Sequence, residues 1–121
     1  MRHQAFFRAV GLSVVALSLS VNARADFFCN VTVNAVLAYN AGQVNVLHSG
    51  RGDYTIICNL SEPYVNGLTV GPSTCAMWYA TLLRAKKNNQ LVQFWFPGTG
   101  SCATIGTYGS APVPTYIGEV N

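Results

Sequence analysis

The stretch GPSTCAMWYATLLRAKKNNQLVQFWFPG, from Gly71 to Gly98, changes its hydrophobic period once. In its first part Cys75, Trp78, Leu82 and Ala85 recur at helical spacing, and Tyr79 and Leu83 widen the stripe. Pro72 suits the first helical position, with Gly71 or Ser73 as the cap. Arg84, Lys86 and Lys87 fall in the last turn, where cations suit the helix dipole, and Asn88-Asn89 offers a stop. From Gln90 to Phe96 the period drops to two. Val92, Phe94 and Phe96 then share one face, and Leu91, Gln93 and Trp95 share the other. A helix running directly into a strand is thus the centre of the fold.

Upstream, Phe27 to Tyr39 alternates, with Cys29, Val31, Val33, Ala35 and Leu37 on one parity. Asn40-Ala41-Gly42 is a turn, and Gln43 to Leu47 is a short strand with Val44 and Val46 on one side. Ser49-Gly50-Arg51-Gly52 turns again, and Tyr54 to Leu60 is rich in β-branched and aromatic residues. Residues 61–71 read as a connection. Downstream, a Gly- and Pro-rich segment leads to a last strand over Thr115–Val120. The order is three strands, one helix and two strands. The class is mainly β with one helix, α+β. It is compatible with an OB-like five-stranded barrel or with an antiparallel sheet carrying one packed helix.

The N-terminus predicts export. Arg2, His3 and Arg8 precede an apolar run from Ala9 to Leu19, and Ala23-Arg24-Ala25 resembles a cleavage site. The run is shorter than the roughly 20 residues needed to span a bilayer. Residues 1–25 are therefore expected to be a signal peptide. Residues 26–121 are expected to form one disulfide-stabilised domain, secreted or periplasmic. Three of the seven basic residues, Arg2, Arg8 and Arg24, lie in that segment. The remaining four balance Asp26, Asp53, Glu62 and Glu119. A neutral domain lacks the surplus of base that nucleic acid attracts.

Cys29, Cys58, Cys75 and Cys102 all lie downstream of that segment. Four cysteines in an exported chain predict two bridges, with three connectivities open. Their wide spacing does not fit the paired C-x₂₋₄-C pattern of zinc sites. Cys58–Cys75 would tie a strand to the start of the helix. Cys29–Cys102 would tie the first strand to the segment after the last long one.

Catalytic material is sparse. His48 neighbours Ser49 and lies near Asp53, but no nucleophile elbow surrounds that serine. A histidine beside a turn reads as solvated. The acids are dispersed, so no carboxylate pair is in place for acid–base work. Arg51-Gly52-Asp53 reads as a turn, and Asn30-Val31-Thr32 and Asn59-Leu60-Ser61 match glycosylation acceptors. No catalytic residue, cofactor or metal is expected. Leu91 and Trp95 point away from the core face of their strand and are the candidate interface, for a protein or a second copy.

Val33 to Gly98 resembles the binding (B) subunits of bacterial AB5 toxins of the subtilase-cytotoxin and pertussis-like group. The resemblance runs through Gly42-Gln43-Val44, Ile56-Ile57-Cys58, then Trp78, Leu82, Leu83 and Ala85, and ends on Gln90 to Gly98. It implies an OB-type barrel, rings of five and binding of cell-surface glycans. No glycan-contacting residue of that group maps onto a position here, and the tail Ala111-Pro112-Val113-Pro114 has no counterpart. The functional expectation is an exported, non-enzymatic binding protein whose partner is a protein or a cell-surface glycan. The alternative is a toxin-type glycan-binding subunit.

Overall fold

The structure, a computed structural model, describes residues 25–120. The expected signal peptide lies almost wholly outside the described residues. The chain forms β1 (Phe27–Val31), β2 (Val33–Ala38), β3 (Gln43–His48), β4 (Tyr54–Asn59), β5 (Tyr64–Asn66), β6 (Leu68–Val70), α1 (Pro72–Asn88), β7 (Val92–Phe96) and β8 (Tyr116–Glu119). It is mostly β with a single helix, the α+β class.

Helix α1 begins where the sequence indicates. Gly71 is the N-cap, Pro72 opens the first turn, and the Cys75 N–H donates to the Gly71 carbonyl at 3.0 Å. It ends at Asn89, whose left-handed backbone (φ 51°) returns its N–H to the Ala85 carbonyl. Asparagine tolerates that conformation better than most residues, which fits the stop. Cys75, Trp78, Leu82 and Ala85 are buried against β2, β4 and β8.

The strands form three antiparallel sheets: β1-β7-β8, β2-β3-β4 and the β5-β6 hairpin. They do not close into a barrel. The expected single strand over 27–39 breaks at Thr32, and its two halves join different sheets. The corner is held by Ser49, whose hydroxyl accepts from the Thr32 N–H at 3.0 Å and whose N–H donates to the Thr32 carbonyl at 3.1 Å. A bulge between Val33 and Ala35 then reverses the parity. Val36 packs against the core and Leu37, expected inside, is exposed. An extra residue opposite a strand shifts every following side chain to the other face.

Residues 61–71 are more ordered than a plain connection. β5 and β6 pair around Gly67 (φ 76°). The Asn66 side-chain amide donates to the Gly109 and Ala111 carbonyls at 2.9 and 2.7 Å, pinning the hairpin to the C-terminal segment. The core lies between the two larger sheets and the helix. Val31, Val44, Val46, Ile57, Leu82 and Phe94 are among its fully buried members.

Cys29 pairs with Cys102, and Cys58 with Cys75. The second cystine is inaccessible at both ends. In the first, Cys29 is buried and Cys102 is half-exposed.

Candidate functional site

Alternation puts Phe94 and Phe96 into the core and Trp95 on the outer face of the β1-β7-β8 sheet. Register decides its neighbours. Phe28 of β1 and Tyr116 of β8 stand directly opposite Trp95 on either side. Their rings lie 5.4 and 5.7 Å from the indole, tilted by only 5° and 22°. Near-parallel rings at this separation are offset-stacked. Both faces of Trp95 are therefore partly covered by its own strand neighbours, and the residue is half-buried. Phe28 and Tyr116 each keep one open face at the ends of the row, and both remain exposed.

A polar row runs alongside. Asn30 pairs in register with Gln93, whose amide N–H donates to the Asn30 Oδ1 at 3.0 Å. The Tyr116 hydroxyl donates to the Gln93 Oε1. Asp26 closes the end of the aromatic row. Its Oδ2 accepts from the Trp95 indole N–H at 3.1 Å and its Oδ1 from the Gly98 N–H at 3.1 Å. These two bonds, the indole first, lower the Asp26 pKa below the ordinary carboxylate value. The face is thus an ordered ridge of ring edges with fixed amides and one fixed negative charge. Leu91 is exposed just before β7, where the Val120 N–H donates to its carbonyl. Arg84 reaches from α1 to Glu119 at 2.7 Å. Leu91 and Trp95 share a parity, but the ordered platform surrounds Trp95. Nothing in the local sequence marks Phe28 and Tyr116 as its partners, because that depends on register between distant strands.

The other chemistry-bearing residues are engaged elsewhere. His48 is fully buried rather than solvated. It lies on the core side of β3 and stacks on Phe94 at 4.8 Å, and burial lowers its pKa to about 4. Asp53 accepts from the Tyr54 N–H at 2.7 Å, and Arg51 donates through Nε to the Ile105 carbonyl at 2.7 Å. The Arg-Gly-Asp triplet is therefore a structural turn, with Gly52 at φ 74°. Asn59 is buried, donating to Ala41 and accepting from Ser61, so it presents no free amide. Among the described residues no cysteine is free, and no cluster of His, Cys, Asp or Glu could hold a metal.

Beside Phe27 lies a shallow groove of about 260 Å³, lined among others by Phe27, Pro97, Ser101, Thr104, Ile105 and Pro112. The two hydroxyls bond each other at 2.9 Å, which leaves little unmet polarity for a ligand. Comparison with family models, with curated proteins and with solved structures finds no match.

Proposed function

We propose that this chain is an exported binding protein, not an enzyme, and that it contacts its partner through the Phe28–Trp95–Tyr116 face. The observation that carries the reading is the aromatic row itself, held from below by register and at one end by Asp26. A rigid aromatic ridge loses little entropy on binding, and aromatic residues dominate interface energetics. The distribution of the remaining chemistry supports the same reading. A general base must reach its substrate, and His48 has no accessible surface. Asp26, Asp53 and Glu119 are engaged in structural bonds, and the thiols are paired.

Two cystines, and no helix among the described residues long and apolar enough to cross a membrane, are compatible with a periplasmic or extracellular setting. Export by the N-terminal signal is the reading that fits them. A protein partner fits the face better than a sugar. A sugar stacks on an open ring face, and each face of the central ring is partly covered by a neighbouring ring. A glycan-binding role of the toxin-subunit type would have to use the end faces of Phe28 and Tyr116.

The test is comparative capture. Immobilised wild-type and Trp95→Ala chains are probed with the exported protein fraction of the source cells and, in a second arm, with a glycan array. Selective loss of a protein partner in the variant supports the proposal. Glycan binding sensitive to Tyr116→Ala but not to Trp95→Ala would replace it with the lectin reading. Substrate turnover by the wild type would end the non-enzymatic reading.

A further inference from the structure

His48 is the last residue of β3 and sits opposite Val33 of β2, just past the Thr32 corner. Its ring stacks on Phe94 of β7. One side chain thereby bridges the two larger sheets at the point where the chain crosses between them. The other side is closed by the turn. A Cβ at Gly50 would lie 3.2 Å from the His48 Nδ1, 3.3 Å from the Cys102 Cβ and only 2.7 Å from the Val31 Cγ1. Only glycine fits between the imidazole, the first strand and the Cys29–Cys102 cystine. Neither ring nitrogen has a hydrogen-bond partner, although the side chain is fully buried. An unpaired buried donor or acceptor is costly, and most are satisfied. A residue of leucine size at this place would meet the packing demand without that cost.

No carboxylate bonds either nitrogen of this ring. β1, β2 and β7 carry no ionisable side chain other than the paired Cys29. The segment 97–107 adds only the paired Cys102. The turn brings Arg51 and Asp53, of which Arg51 Nε donates to the Ile105 carbonyl and Asp53 Oδ1 accepts from the Tyr54 N–H. On β4 and its neighbour, Tyr54 and Tyr108 lie against each other with their rings 6.1 Å apart and tilted by 32°.

We propose that His48 is an acid-operated latch: neutral, it closes the seam between the two sheets, and its protonation opens that seam. Buried and unpaired, the imidazolium has no stable place in the closed form. The neutral form holds until roughly pH 4, well below the ordinary histidine value. A group with a lowered histidine pKa leaves the unfolded or opened state binding more protons. Stability is therefore complete above about pH 6.5 and declines as pH falls toward 4. Opening would uncover Phe94 and Val31 and loosen the Thr32–Ser49 corner.

The experiment uses the full chain with His3→Gln, which leaves His48 as its only histidine. Thermal unfolding is followed from pH 7 to pH 4.5, and the imidazole Cε1–H resonance is followed by NMR over the same range. The melting temperature should fall on the order of 10 °C across that window. In a further His48→Met variant the fall should be no more than a third as large. Amide exchange at Thr32 and Ser49 should accelerate with acid only when His48 is present. If His48→Met does not fold, the NMR titration decides alone. A resonance that stays neutral down to the acid transition supports the latch. A free titration near pH 6.5 with the corner still protected overturns it, as does an equal fall in melting temperature in a folded His48→Met variant.

Discussion

The Trp95 indole N–H donates to the Asp26 Oδ2 at 3.1 Å, between residues 69 positions apart in the chain. A carboxylate immediately before β1 thus fixes the central ring of the outer aromatic row. Asp26 has a depressed pKa, so the bond is complete above the ordinary carboxylate value and is lost as pH falls through the lowered one. Asp26→Asn should shift the Trp95 indole proton and its fluorescence at neutral pH. The wild type should show the same change only at the acid end. Identical spectra at pH 7 would mean that the contact is not formed in solution.

Trp95→Ala removes a half-buried ring stacked on two others. It should cost about 1–3 kcal/mol, less than for a fully buried tryptophan. If the face joins copies of this chain, light scattering at micromolar concentration should show an oligomer that dissociates in the variant. A monomer in both forms leaves the face to a different partner and rules out self-association through it.

The two cystines should reduce in sequence. Cys102 is half-exposed, whereas Cys58 and Cys75 have no accessible surface. Thiol–disulfide exchange needs access to a sulfur. Under native conditions with a dithiol, alkylation and mass mapping should label Cys29 and Cys102 first. By chain entropy the long loop contributes ~4–5 kcal/mol and the short one ~3. The first reduction should therefore lower the melting temperature more than loss of Cys58–Cys75 alone, as read in a Cys58→Ala/Cys75→Ala variant. Early labelling of Cys58 would contradict the burial pattern.

Two glycines make a matched pair. A Cβ at Gly106 would run into the carbonyl of Ser110, whereas one at Gly118 meets nothing within 4 Å. Gly106→Ala should destabilise by about 2 kcal/mol or more, because backbone must move. Gly118→Ala in β8 should be neutral or stabilising by up to ~1 kcal/mol, through the unfolded chain. Denaturant midpoints read both. Equal effects would show that the 106–110 turn relaxes freely.

Short-range order was legible and long-range pairing was not. Pro72, the Cys75–Ala85 stripe and Asn89 define the helix, because capping and periodicity are local. The parity of Val92 to Phe96 is equally local. The break at Thr32 is not, since it depends on Ser49 receiving the corner. The bulge after Val33 leaves the alternation in the sequence intact while reversing it in space. β5 and β6 have three residues each, too few to show a period, although Asn66-Gly67 is a turn signal. His48 reads as solvated because it adjoins a turn. Its burial comes from Phe94 and from the absence of a side chain at Gly50. For the outer aromatic face, strand parity identifies Trp95 as outward. Its neighbours Phe28 and Tyr116 required the register of both flanking strands.

The two cystines are nested, Cys58–Cys75 lying inside the loop closed by Cys29–Cys102. As the chain emerges from its N-terminus, Cys29, Cys58 and Cys75 are all present before Cys102. An oxidant that joined thiols in order of appearance would couple Cys29 to Cys58 and leave Cys75 to pair with Cys102, so that neither bridge is native. Cys29 must therefore stay reduced while its strand waits for β7, or an early mispairing must be reshuffled, which takes seconds to hours. The order of oxidation, rather than the final stability, then limits the yield of correctly assembled protein, and that yield should depend on a thiol-exchange catalyst in the compartment where the chain matures.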